Sequence, residues 1–110
     1  MTAIATGIVI GKDGCEADTF NGNEILTIAV HNTARMDASA IPLGEQQITL
    51  KKGEKFPISF NVEYDEEAAS KVPDYGFTLR ARIEDDKGNL LYINDTRTSA
   101  KGNKIEVKKV

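Results

Sequence analysis

The clearest pattern in the chain runs over Phe77-Thr78-Leu79-Arg80-Ala81-Arg82-Ile83-Glu84. Phe77, Leu79, Ala81 and Ile83 fall on one side of an extended strand, and Thr78, Arg80, Arg82 and Glu84 on the other. A period of two marks a strand with one buried face. Asp85-Asp86-Lys87-Gly88 then supplies turn chemistry, and Asn89 to Thr96 returns as a second apolar strand. The pair predicts a β-hairpin. Phe56, Ile58, Phe60, Val62 and Tyr64 alternate just as cleanly with Pro57, Ser59, Asn61 and Glu63. Glu24 to Asn32 is a further strand. Leu26, Ile28 and Val30 point one way there, and Ile25, Thr27, Ala29 and His31 the other.

The remaining segments carry weaker signals. Residues 3–10 read as a first strand, followed by a turn at Gly11 to Gly14 and a loop at Asp18 to Asn23. Thr33 to Ala40 is small and polar and reads as a loop. Ile41-Pro42 opens a short edge strand, since proline cannot donate to a ladder. Gln46 to Lys51 is another short strand, Arg97 to Asn103 a polar loop, and Lys104 to Val110 a last strand with Ile105 and Val107 inward. Asp65 to Val72 is the one predicted helix. Asp65 caps it, Glu66 and Glu67 suit its positive end, and Pro73 stops it. Its expected task is to cross from one sheet to the other. The sum is an all-β chain, with residues 1–110 as a single domain. The expected architecture is an antiparallel β-sandwich of seven to eight short strands with one short helical crossover.

Composition narrows the functions. A chain of 110 residues at 40% hydrophobic content can bury one core, and its net charge of -3 favours neither nucleic acid nor an anionic membrane. No run approaches the roughly 18 apolar residues of a membrane span. The first ten residues lack a basic start and already read as a strand, so no signal peptide is expected. Cys15 is the only cysteine, which excludes an internal disulfide. It follows Gly11-Lys12-Asp13-Gly14, and those charges are unlike a lipidation site, so it reads as an incidental loop thiol. A cytoplasmic protein fits the chain as it stands, and a disulfide-free periplasmic domain fits too, so the residues alone leave the compartment open.

Little in the sequence carries chemistry. His31 is the only histidine. A nucleophile–histidine pair would need Cys15 or a serine beside it, and a lone histidine at a strand end reads as structural. No catalytic residue, cofactor or metal is expected. Asp85, Asp86 and Asp95 offer oxygen ligands for a calcium ion, but Asp85-Asp86 read better as turn residues. Asn94-Asp95-Thr96 matches the N-glycosylation sequon, which has meaning only in a secreted eukaryotic protein.

The hairpin's outer face bears on binding. If Glu84 pairs with Asn89, Leu91 and Ile93 lie opposite Arg82 and Arg80. A slip of one residue puts Leu90 and Tyr92 there instead. Either register sets two large apolar groups beside two arginines. Long arginine stems can simply cover such groups, but an apolar patch rimmed by arginine also suits an interface centre. Arg80, Arg82, Leu91 and Ile93 are therefore the expected contact residues.

Several of these stretches are similar to a known family. They are Ile41-Pro42, Ile58-Ser59-Phe60-Asn61-Val62-Glu63-Tyr64-Asp65, Leu79-Arg80-Ala81-Arg82-Ile83-Glu84-Asp85, and Gly88-Asn89-Leu90-Leu91-Tyr92-Ile93-Asn94-Asp95-Thr96. They resemble the YbaY / type III secretion pilotin (YscW-like) lipoprotein family, and the match runs from about Thr6-Gly7 to Thr96. The resemblance implies a small β-sandwich without a catalytic site. It also implies a periplasmic, outer-membrane lipoprotein, whose pilotin branch binds a secretin subunit. The expected function is a non-enzymatic protein-binding or chaperone-like module with a protein partner. The alternative is a small inhibitor or ligand-binding protein acting through its loops, residues 11–23, 33–46 and 96–103. Self-association through an open edge strand is a further route to partnership.

Overall fold

A computed structural model of the chain describes residues 2–12, 14–32, 41–73, 76–94, 98–99 and 104–110. It contains strands β1 (Thr2–Gly11), β2 (Ile25–Asn32), β3 (Ile41–Thr49) and β4 (Ile58–Asp65), then helix α1 (Glu66–Ala69). Strands β5 (Phe77–Glu84), β6 (Leu90–Ile93), β7 (Thr98–Ser99) and β8 (Lys104–Lys109) follow. The expected loop at Thr33 to Ala40 lies outside the described residues. The two short strands expected around Pro42 and Gln46 are one continuous strand, β3.

The all-β reading holds, but the two-sheet sandwich does not describe the molecule. All eight strands belong to one sheet, in the order β3-β2-β5-β6-β8-β1-β4, with β7 added beside β5. The sheet curls until β3 and β4 face each other, which makes it a nearly closed barrel. One pair, β1 with β8, is parallel. Alternation along a strand cannot separate these outcomes, because a sandwich and a barrel both need one face in and one face out.

Closure rests on close approach. A Cβ added at Gly44 of β3 would run into the carbonyl oxygen of Glu63 and sit 2.8 Å from the Cα of Tyr64, both in β4. The backbones touch there because glycine has no side chain. Just before this point Leu43 is an extra residue in β3: Val30 faces Gly44, and His31 faces Pro42. Such a bulge bends a strand and increases its twist. Further along the seam, the Asn61 N–H donates to Gln46 Oε1 at 3.0 Å. A side chain stands there in place of a main-chain ladder.

The barrel interior is filled by the alternating residues the sequence marks. Leu26, Ile28, Val30, Ile58, Phe60, Val62, Leu79, Ala81, Ile83, Ile105 and Val107 are all buried. At one end Phe20, Phe56 and Tyr92 stack edge to face, with ring centroids 5.3–5.9 Å apart. The Tyr92 hydroxyl donates to Asp18 Oδ2 at 2.7 Å. Burial, then the Asp18 carboxylate, raises the Tyr92 pKa well above the usual phenol range. Cys15 is also buried, with its thiol 3.0 Å from the Lys12 carbonyl oxygen.

The helix is shorter than expected. It is a single turn, and the Asp65 carboxylate accepts from the Ala68 N–H at 3.2 Å as predicted for its cap. Val72 then bonds back to the Ala69 carbonyl in a turn before Pro73. So short a helix buries no residue of its own. It lies against β1 and β4, and with all the described strands in one sheet it has no second sheet to cross to.

Candidate functional site

The candidate contact residues depend on the hairpin's register. Asp85 builds its turn: Oδ1 accepts from Lys87 N–H at 2.9 Å and Asn89 N–H at 2.8 Å, and Oδ2 accepts from Asn89 Nδ2 at 3.0 Å. Those bonds with Asn89 hold the Asp85 carboxyl below its usual pKa range. Asp85 is thus a turn residue, as the favoured reading has it. Among the described residues no group of three or more His, Cys, Asp or Glu side chains is placed to share a metal ion. Asp95 lies outside the described residues.

Beyond the turn, Glu84 faces Leu90, Ile83 faces Tyr92, and Arg82 faces Ile93. Leu91 is a bulge residue with no partner in β5. The observed register is therefore neither of the two expected. Ile93 lies beside Arg82 rather than Arg80. Tyr92 turns inward and is buried, while Leu91 is half-buried against the core.

Three of the four expected contact residues come together. Arg80, Arg82 and Ile93 line a concavity of about 230 Å³ on the outer face of the sheet, together with Thr27, Ala29, His31 and Glu45. Leu91 is not part of its lining. The layout follows from strand pairing. Ala29 sits between Glu45 and Arg80, and Thr27 between Gln47 and Arg82. Ala29 is small and buried, so the long side chains on both sides stand as walls around it. Arg82 Nε pairs with Glu84 Oε1 at 2.8 Å on an exposed surface. No carboxylate among the described residues pairs with Arg80.

His31 stands at one end of this concavity. Its Nδ1 is buried and has no hydrogen-bond partner among the described residues. Burial, and then the Arg80 guanidinium, hold its pKa below the ordinary imidazole value, while Glu45 pulls the other way. Cys15 lies in the core and His31 on the outer face, so the fold does not bring them together as a nucleophile and base.

Sequence reasoning missed the residue that holds Arg80 in place. Asn94 is buried just past the end of β6. Its Oδ1 accepts from the Ala81 N–H at 2.9 Å, and its Nδ2 donates to the Leu79 carbonyl at 3.2 Å. One side-chain amide thus grips the β5 backbone on both sides of Arg80. An apparent sequon hid this role, and that buried, bonded amide is not presented as a glycosylation acceptor. Asn94→Ala would leave a buried N–H and a buried carbonyl without these partners. The expected cost is about 2 kcal/mol, read as a lower midpoint in urea at unchanged slope.

The family model described as "Type III secretion system lipoprotein chaperone (YscW)" matches residues 16–108. The chain belongs to this family. The YscW-family match begins after β1 and extends through most of β8, further toward the C-terminus than the resemblance seen in sequence. Its description is that of a chaperone and not of an enzyme. Among solved structures, the chain is similar to an alternative pilotin from the type II secretion system of Vibrio cholerae. The identity is 23%, the TM-score 0.79, and the alignment covers 100% of this chain and 98% of that one. At this identity the likeness shows a shared fold. No curated protein matches the chain. No helix among the described residues is long and apolar enough to cross a membrane.

Proposed function

We propose that this YscW-family protein is a pilotin-type chaperone that binds a secretin subunit of a secretion system. The proposed contact surface is the outer face of β2, β5 and β6, with Arg80, Arg82 and Ile93 at its centre and Leu91 at its margin. The family match supports the chaperone role and a periplasmic place at the outer membrane. The observation that carries the choice of surface is the concavity, where two arginines and an apolar wall surround a small floor. Interface centres draw their energy from such arginine and apolar anchors.

The test is capture of a secretin subunit from the source organism by the purified protein, with affinity then measured on the isolated pair. Joint replacement of Arg80 and Arg82 by alanine is expected to weaken binding about tenfold or more, equal to about 1.4 kcal/mol. Both side chains are exposed, so the melting temperature should hardly move. Unchanged affinity would place the contact elsewhere on the protein. Capture of no secretion component would remove the pilotin reading itself.

A further inference from the structure

We infer that the concavity floored by Ala29 receives one carboxylate side chain of the protein partner, with Arg80 as its counter-ion. The inference rests on the proposal that this face is the contact surface, and it names what the surface reads.

Space is the first argument. Glu45 and Arg80 are the cross-strand neighbours of Ala29 on its two sides. Two strand spacings put their backbones about 10 Å apart. The concavity that they border with Thr27, His31, Arg82 and Ile93 holds about 230 Å³ of free space, well above what one water molecule needs. A single acidic side chain can enter from outside.

Charge is the second argument. Glu84 already occupies Arg82. Arg80 has no carboxylate partner among the described residues, and its planar fork of donors matches a carboxylate in two parallel hydrogen bonds. Glu45, on the far wall, repels every entering negative charge, and only one seated on Arg80 has a counter-ion that offsets this. The preferred occupant is therefore an isolated Asp or Glu, not an acidic run.

His31 supplies the third argument and the means of test. His31 lines the concavity with Arg80, and its buried Nδ1 has no hydrogen-bond partner among the described residues, so a charge that enters the concavity acts on the ring's proton affinity. Among the described residues, the charged groups that line the concavity with His31 are Arg80 and Arg82 from β5 and Glu45 from β3, and Arg80 and Glu45 act on its charge. A carboxylate bound on Arg80 offsets the nearest positive charge. The protonated ring then becomes easier to form, and binding is accompanied by proton uptake.

His31 is the only histidine, so its imidazole gives one unambiguous set of NMR signals. The probes are acetylated glutamate N-methylamide and the matching glutamine compound. The glutamate probe is expected to shift the His31 and Arg80 side-chain signals saturably and to raise the pH midpoint of His31. The glutamine probe should bind at least tenfold more weakly. Arg80→Gln should remove the response, and Ala29→Val should block it while keeping the arginine. Equal response to the two probes, or a response that survives Arg80→Gln, would overturn the inference. The same two variants, measured against the captured secretin subunit, keep the two readings apart. A subunit that binds both variants as tightly as the parent leaves the chaperone role standing and removes the carboxylate site. A probe that binds as expected when no subunit is captured does the reverse.

Discussion

Gly44→Val is expected to destabilise the protein by about 3 kcal/mol or more, at the upper end for overpacking. The obstacle is backbone, since the added Cβ meets Glu63 and Tyr64 of β4. Flexible side chains can step aside from such an overlap, and a strand held in a barrel wall cannot. A domain of this size loses about 4–8 °C per kcal/mol, so the melting temperature should fall by more than about 10 °C. The loss has a location as well. The amide of Asn61 bonds across the seam to Gln46 and should exchange with solvent faster than the amides of β2 and β5. A variant that melts like the parent would show that β3 and β4 do not touch in solution.

Glu24→Ala is expected to cost a similar amount, about 3–5 kcal/mol, for a different reason. Glu24 is buried, with 4% of its surface exposed. Its carboxylate accepts from the backbone N–H groups of Asn21 at 2.9 Å, Gly22 at 3.0 Å and Asn23 at 3.2 Å. Alanine would leave these donors without their acceptor, at about 1–3 kcal/mol for each one that water cannot reach. Glu24→Gln is the informative comparison. Oε1 takes the bonds from all three donors, with Oε2 receiving a second one from Asn21 at 3.0 Å. An amide oxygen in that place keeps most of the geometry and loses the charge, so its cost should be about half as large. Chemical denaturation of the three proteins decides it. Equal stability of the alanine variant and the parent would mean that the 21–24 turn holds itself.

These two residues show where local sequence stops being informative. The strands β2, β4 and β5 are legible because period-two alternation is written into neighbouring residues. Barrel closure is not, because the partner of Gly44 lies in another strand and the glycine itself carries no periodic signal. Glu24 looks like a solvated charge at the start of a strand. Only the fold of residues 21–23 around it reveals a buried acceptor. The candidate site divides in the same way. Arg80 and Arg82 share a face by alternation, and that much was readable. The bulge at Leu91 moved Ile93 from Arg80 to Arg82, and a bulge is set by how two strands meet. Ala29 as the floor, and Asn94 as the clamp behind Arg80, needed the pairing of β2, β5 and the segment after β6.

The parallel pairing of β1 with β8 bears on the order in which the molecule can form. The first strand of the chain is held between β4 and β8, and Ile8 lies beside Lys104, nearly the whole chain away. Contacts so distant in sequence are slow to form, because loop entropy is lost before any contact offsets it. The wall beside β1 is incomplete until residues 104–109 have emerged. A chain still leaving a ribosome or a translocation channel therefore cannot close its barrel, and its hydrophobic lining must wait, exposed, for the final strand.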